Sequence, residues 1–186
     1  MRPGPRAGAR RSMHHAASRY GRIAAAVLLC ALLAGCFTSS APKFPLSTAV
    51  PALGEGGHYV AYERQDDGSY KRDETFTVRH RADGGYDFTD AKGKVTPLTL
   101  HRIRDNLYVA QATNEKNDHT DYVVLRVQDN EVLGYPVSCD KQDQAKMKAL
   151  GVVIHDYECR IDGVADPAAL FADLDLGIPG SKMVRE

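Results

Sequence analysis

Residues 74–90 read ETFTVRHRADGGYDFTD, and two short runs within them decide the class of fold. Phe76, Val78 and His80 fall on one side of an extended chain, with Thr75, Thr77, Arg79 and Arg81 on the other, because successive side chains of a strand point to opposite faces. Asp83-Gly84-Gly85 then supplies a turn before Tyr86-Asp87-Phe88-Thr89-Asp90 resumes an extended pattern. Two strands around a tight turn form an antiparallel hairpin.

The same alternation of strand and turn signals extends outward in both directions. Segments rich in Val, Tyr, Phe and Thr recur at residues 58–64, 96–103, 107–113, 121–127 and 132–138. Between the segments stand Asp66-Asp67-Gly68, Lys92-Gly93-Lys94, Asp105-Asn106, Asn114-Glu115-Lys116-Asn117-Asp118 and Asp129-Asn130. Leu98 with Leu100, Tyr108 with Ala110, and Tyr122 with Val124 continue the apolar faces. The expected fold is mainly β with a minor α part: an antiparallel meander of about seven or eight strands, curved or closed like a barrel. One solvated face is expected on most strands, residues 122–125 being the exception.

The pattern changes after Cys139. Asp140 is placed to cap a helix from Lys141 to about Leu150, ended by Gly151, where glycine takes the left-handed conformation easily. Residues 152–159 then return as a strand, giving a C-terminal strand-helix-strand unit. Asp166-Pro167 marks the start of a short final helix that buries Leu170, Phe171 and Leu174. A loose tail containing Gly177, Pro179 and Gly180 is expected to follow.

The chain opens on Arg2, Arg6, Arg10, Arg11, Arg19 and Arg22 with no acidic residue, followed by an apolar run at residues 23–34. As a helix that run covers about 18 Å, too short for the ~30 Å hydrocarbon core of a bilayer. It has the length and flanks of a secretory signal. Leu33-Ala34-Gly35-Cys36 resembles the lipobox of bacterial lipoproteins. That resemblance implies a signal peptide at residues 1–35, with Cys36 the first residue of the mature chain. It also implies a diacylglyceryl group on the sulfur and commonly a further acyl chain, such as palmitate, on the amino group. Phe37 in place of an aspartate after the cysteine implies the outer membrane, facing the periplasm. The region 54–175 resembles small uncharacterised envelope lipoproteins of Gram-negative bacteria, a likeness that supplies no activity.

Domain organisation follows from these limits: signal at 1–35, a lipidated flexible linker at 36–53 containing Pro42, Pro45 and Pro51, and one β-rich domain at 54–186. The full chain has 24 basic and 24 acidic residues, and loss of the six leading arginines leaves 18 against 24, a net charge of about −6. An acidic body is not a nucleic-acid binder, since that affinity rests on Lys and Arg neutralising phosphates.

Cys139 and Cys159 remain as an even pair once Cys30 leaves with the signal and Cys36 takes lipid. In an oxidising compartment they suit a disulfide, against free thiols or a two-ligand metal site as alternatives. His80 and His101 could meet across the sheet as a metal or acid–base pair, and Asp118 with His119 sits in an oxygen-rich loop suited to a hard cation. A buried histidine bonded to its surroundings, and a solvated hairpin tip, are the simpler expectations for both. Asp156 and Glu158 alternate as a carboxylate pair or as edge-strand charges. Tyr59, Tyr62, Tyr108 and Tyr122 are candidates for a ligand or partner surface. No GxSxG, HExxH or cofactor motif is present. The sequence therefore points to a non-enzymatic, cofactor-free binding module for an envelope protein or glycan, with a lipocalin-like carrier as alternative and a metal-dependent hydrolase as a third.

Overall fold

The computed structural model describes residues 37–114, 118–155 and 158–186. The expected signal at residues 1–35, the expected lipidation site Cys36, Asp156 and the middle of the 114–119 loop lie outside the described residues. The strands are β1 Phe37–Ser39, β2 Gly56–Arg64, β3 Tyr70–His80, β4 Tyr86–Asp90, β5 Val95–Arg104, β6 Leu107–Asn114, β7 His119–Gln128, β8 Glu131–Tyr135, β9 Val153–His155, β10 Glu158–Arg160 and β11 Ser181–Arg185. Two short helices, α1 Gln144–Ala149 and α2 Pro167–Ala172, sit between the last strands.

Strands β2 to β8 pair in chain order, each antiparallel to the next. Strand β11 fills the remaining seam, antiparallel to β8 on one side and β2 on the other. The meander is thus a closed eight-stranded barrel. Residues 181–185 were expected as part of a loose tail and are instead the closing stave. Only Met183 and Val184 are apolar there, so the strand is specified by two waiting edges more than by its own pattern.

Turn chemistry sets the hairpins. In the β2–β3, β3–β4 and β4–β5 loops one arrangement repeats: Gln65, Arg81 and Asp90 each donate to the carbonyl four residues on and accept from the glycine three residues on. Those glycines, Gly68, Gly84 and Gly93, have φ of 83°, 88° and 80°, which a side chain would resist. The β5–β6 and β7–β8 turns place Asp105 and Asp129 at positive φ, a conformation that Asp and Asn tolerate best among residues with a Cβ.

Two apolar clusters lie on either side of the wall. The lumen is filled by Tyr59, Ala61, Phe76, Val78, Tyr86, Phe88, Leu98, Leu100 and their neighbours, as expected for eight strands. Outside, Leu107, Val109, Tyr122 and Val124 of β6 and β7 face Phe171, Leu170, Met147, Ile161 and Val164 of the C-terminal unit. Strand β7 is consequently buried on both faces over much of its length, the exception foreseen for residues 122–125.

Three further expectations change. Residues 37–53 are not a spacer: Phe37 begins a strand paired with β7 and β10, and Phe37, Phe44 and Leu53 are all buried. Proline cannot join a ladder, yet irregular chain stays ordered when its apolar side chains have pockets. Helix α1 starts at Gln144, capped by the Asp143 carboxylate accepting from Lys146 N at 3.0 Å, while Asp140 lies in a preceding 3-10 turn. The segment 152–159 is not one strand, since β9 and β10 pair with each other as a hairpin. Helix α2 matches its reading, with Asp166 accepting from Ala169 N at 2.9 Å and Leu170 and Phe171 buried.

Cys139 and Cys159 form a disulfide, Cα atoms 5.9 Å apart and 20 residues apart in sequence. It ties the turn after β8 to β10, inside the outer cluster. Replacing both cysteines by serine is expected to lower stability by about 3 kcal/mol on the chain-entropy account. Urea unfolding of the oxidised wild type against the double variant measures this, and coincident midpoints would remove the structural role.

Candidate functional site

The segment from β1 to β2 is a strap, and side chains of the barrel wall hold it. Gln111 of β6 treats Phe44 as a strand partner, its Oε1 accepting from Phe44 N at 2.9 Å and its Nε2 donating to Phe44 O at 3.1 Å. The Phe44 ring stacks on the His101 imidazole, centroids 4.9 Å apart. His101 Nδ1 lies 2.9 Å from Thr48 Oγ1 and Nε2 lies 2.8 Å from Thr99 Oγ1. Tyr122 Oη accepts from Lys43 N at 2.9 Å and bonds Ser39 Oγ at 2.7 Å. These polar groups sit in a largely apolar layer, where an unmade bond would cost about 1–3 kcal/mol.

The strap then crosses one end of the barrel. Val50 N donates to Leu100 O at 2.8 Å. Tyr86 Oη, inside the lumen, accepts from Leu53 N at 3.0 Å and donates to Gly54 O at 2.9 Å. Gly56 follows at φ 91°, where a Cβ would meet Val78 O at 2.1 Å. Only glycine lets the strap turn into β2 so close to β3.

Between the strap, the β7–β8 turn and the end of β11 lies a recess of about 180 Å³, lined by Leu53, Tyr59, Val132, Asp129, Asn130 and Arg185 among others. Tyr59 is 3% exposed, and burial pushes its phenol above the ordinary value while the positive charge of Arg185 pulls the other way. Arg185 folds across Gly57, where a Cβ would come within 2.9 Å of its Nε. Ion pairs form elsewhere: Arg81 with Asp83 and Asp87, Lys146 with Asp173, Lys182 with Glu131. Arg185 has no carboxylate at ion-pair distance among the described residues. The recess thus combines apolar side chains with a buried phenol, the Arg185 guanidinium and the Asp129 carboxylate.

Other candidate residues are placed apart. His80 faces the lumen side against Tyr86, ring centroids 5.2 Å apart, whereas His101 is on the outer face under Phe44; the wall separates them, and they form no pair. The face alternation of β5 between Leu100 and His101 is the reason. His119 Nε2 lies 3.0 Å from Asp121 Oδ1, with Asp118 exposed at positive φ beside it. Among the described residues no group of three His, Cys, Asp or Glu is placed to hold a metal ion. The four tyrosines do not share one surface: Tyr59 lines the recess, Tyr62 lies under the Lys182 ammonium at 5.7 Å, Tyr108 lies under Arg102 at 5.6 Å, and Tyr122 holds the strap. Arg185, Asp129 and Asn130 are additions to the sequence reading. The turn signal of Asp129-Asn130 was legible, but what the turn borders was not.

No family model, curated protein or solved structure matches the chain. No helix among the described residues is long and apolar enough to cross a membrane.

Burial holds the His101 imidazole below its ordinary value of 6.5. The unfolded chain then binds a proton that the folded one resists, so stability is complete above that value and falls as pH drops through and below it. Urea midpoints are expected to fall more steeply between about pH 7 and pH 5 for wild type than for His101→Gln. Parallel profiles would mean that this imidazole is not the coupled group.

Proposed function

We propose that the protein is a non-enzymatic binding module of the bacterial envelope, held at the membrane by lipid on Cys36 and engaging an envelope protein or glycan at the strap-covered mouth of its barrel. Arg185 carries the proposal. A guanidinium with no carboxylate at ion-pair distance among the described residues, lining one recess with a buried phenol, apolar side chains and Asp129, suits a group that brings acceptor oxygens for Arg185 and a small apolar body. The basic head, the short apolar run and Leu33-Ala34-Gly35-Cys36 support the anchor. Phe37 in the position after the cysteine supports an outer-membrane address facing the periplasm, and the Cys139–Cys159 disulfide agrees with an oxidising compartment.

A second reading, a lipocalin-like carrier of a small apolar molecule, draws on the closed eight-stranded barrel. Against it stands the filled lumen: Phe76, Phe88, Tyr86 and Leu100 occupy the space a carried ligand would need. The recess of about 180 Å³ is also below the ~300 Å³ at which ligand pockets ordinarily begin.

A photo-crosslinking amino acid at Asn130, introduced in the full chain in its native envelope, is expected to yield discrete adducts that Arg185→Glu reduces at least severalfold. Adducts that are insensitive to Arg185→Glu, or no adducts above a chain lacking the signal, would overturn binding at this mouth. Displacement of an apolar dye from the purified protein by long-chain lipids, unaffected by Arg185→Glu, would favour the carrier.

A further inference from the structure

We infer that the barrel is mounted on the bilayer without a tether, and that the 177–180 loop rests on the lipid surface with Ile178 in its interface. The inference rests on the proposal that Cys36 carries lipid, and it adds how the folded body meets the membrane.

Phe37 is 1% exposed and hydrogen-bonded into the sheet through β1, opposite Tyr122 of β7 and Cys159 of β10. One peptide step, about 3.8 Å, separates its Cα from that of Cys36. A thioether on that cysteine therefore enters the membrane at the surface of the folded body. A flexible spacer would allow any orientation, but a single residue allows few.

Pairing on β7 identifies what lies beside the entry point. The same edge of β7 that carries Phe37 at Tyr122 carries Tyr135 of β8 at Val124. Two residues along a strand are about 7 Å. The next residue, Pro136, packs on Gly180, whose Cβ position lies 2.7 Å from the proline Cγ. Gly180 N donates to Gly134 O at 2.9 Å, and Arg64 N donates to Gly180 O at 2.9 Å. Tyr70 Oη donates to Pro179 O at 3.2 Å, and ahead of the loop Asp175 is held to Gln142, its N donating to Oε1 and its O accepting from Nε2, both at 3.0 Å.

The loop is thus fixed at both ends, and what it displays is Ile178, 64% exposed and the most exposed large apolar side chain among the described residues. A pinned loop holding a β-branched apolar side chain in water, beside the point where acyl chains would leave the protein, fits a surface that lipid covers.

The chain has no tryptophan, so an introduced one is a single reporter. Full-length protein matured in a bacterial envelope is placed in vesicles of phosphatidylethanolamine and phosphatidylglycerol, with and without brominated acyl chains. Mass spectrometry of the N-terminal peptide reads lipidation separately. Ile178→Trp is expected to emit at shorter wavelength and to be quenched severalfold more by brominated lipid than Val95→Trp. Val95 is also exposed, and its β4–β5 hairpin lies across the ring of eight strands from β8 and β11. A Gly-Ser segment of about 20 residues inserted between Cys36 and Phe37 is expected to abolish the quenching while leaving the protein vesicle-bound. Lipidated protein with Ile178→Trp unquenched, or quenched no more than Val95→Trp, overturns the mounting and leaves the anchor standing. An unmodified N-terminal peptide overturns both.

Discussion

Closure of the barrel by β11 is the constraint on which the other features rest. Seven strands in a meander leave an edge on β2 and another on β8, each a row of unpaired backbone groups open to other chains. Five residues from the end of the chain satisfy both at once. Closure also fixes the circumference, and with eight strands the lumen admits side chains and little more. Tyr59, Phe76, Tyr86 and Phe88 fill it, so the surfaces open to solvent are the ends and the outer face.

The outer face is partly occupied as well. Strands β6 and β7 would each be half-solvated in an isolated barrel, yet Val109, Tyr122 and Val124 are buried beneath α2, the β9–β10 hairpin and the strap. The disulfide belongs to this layer. Its two cysteines come from the turn after β8 and from β10, so it constrains the part of the chain that covers the wall, whereas the wall itself is held by its ladders. With the lumen filled and one flank covered, the strap-covered mouth, the opposite rim and the exposed residues of β3, among them Lys71, Arg72, Thr75, Thr77 and Arg79, remain open to solvent.

Much of this was legible because hairpin chemistry is local. The alternation in residues 74–81 and the turn glycines specify strands whatever the remainder of the chain does, and β4 falls at the residues its pattern predicts. Helix α2 was equally legible, since Asp166 and Pro167 announce its start. The missed features depend on partners distant in sequence. Strand β11 has two apolar residues and becomes a strand because two edges await it. The separation of His80 from His101 follows from the parity of β5, and the recess unites Leu53, Tyr59, Asn130 and Arg185, four residues that no sequence spacing connects. Residues 152–159 read as one strand because their apolar content is continuous in sequence, whereas the pairing of Glu158 with His155 folds them back on themselves.

The strap shows how composition misleads about order. Proline, serine and alanine between residues 37 and 53 suggest a spacer because they form no ladder, but order requires only that buried apolar groups outweigh chain entropy. Phe37, Phe44 and Leu53 supply those groups seven and nine residues apart, too widely spaced to mark a regular element, and Gln111, Tyr86 and Tyr122 satisfy the backbone that proline-rich chain leaves unpaired. A segment held in this way does two things that a spacer cannot. It closes the mouth far enough to shape a recess around Tyr59 and Arg185, and it carries the fold to within one residue of the proposed lipid. On the proposed lipidation of Cys36, orientation at the membrane and shape at the mouth would share an origin: loosening the bonds from Gln111 and Tyr122 would free the body to tumble on that proposed anchor, and loosening those from Tyr86 would open the recess.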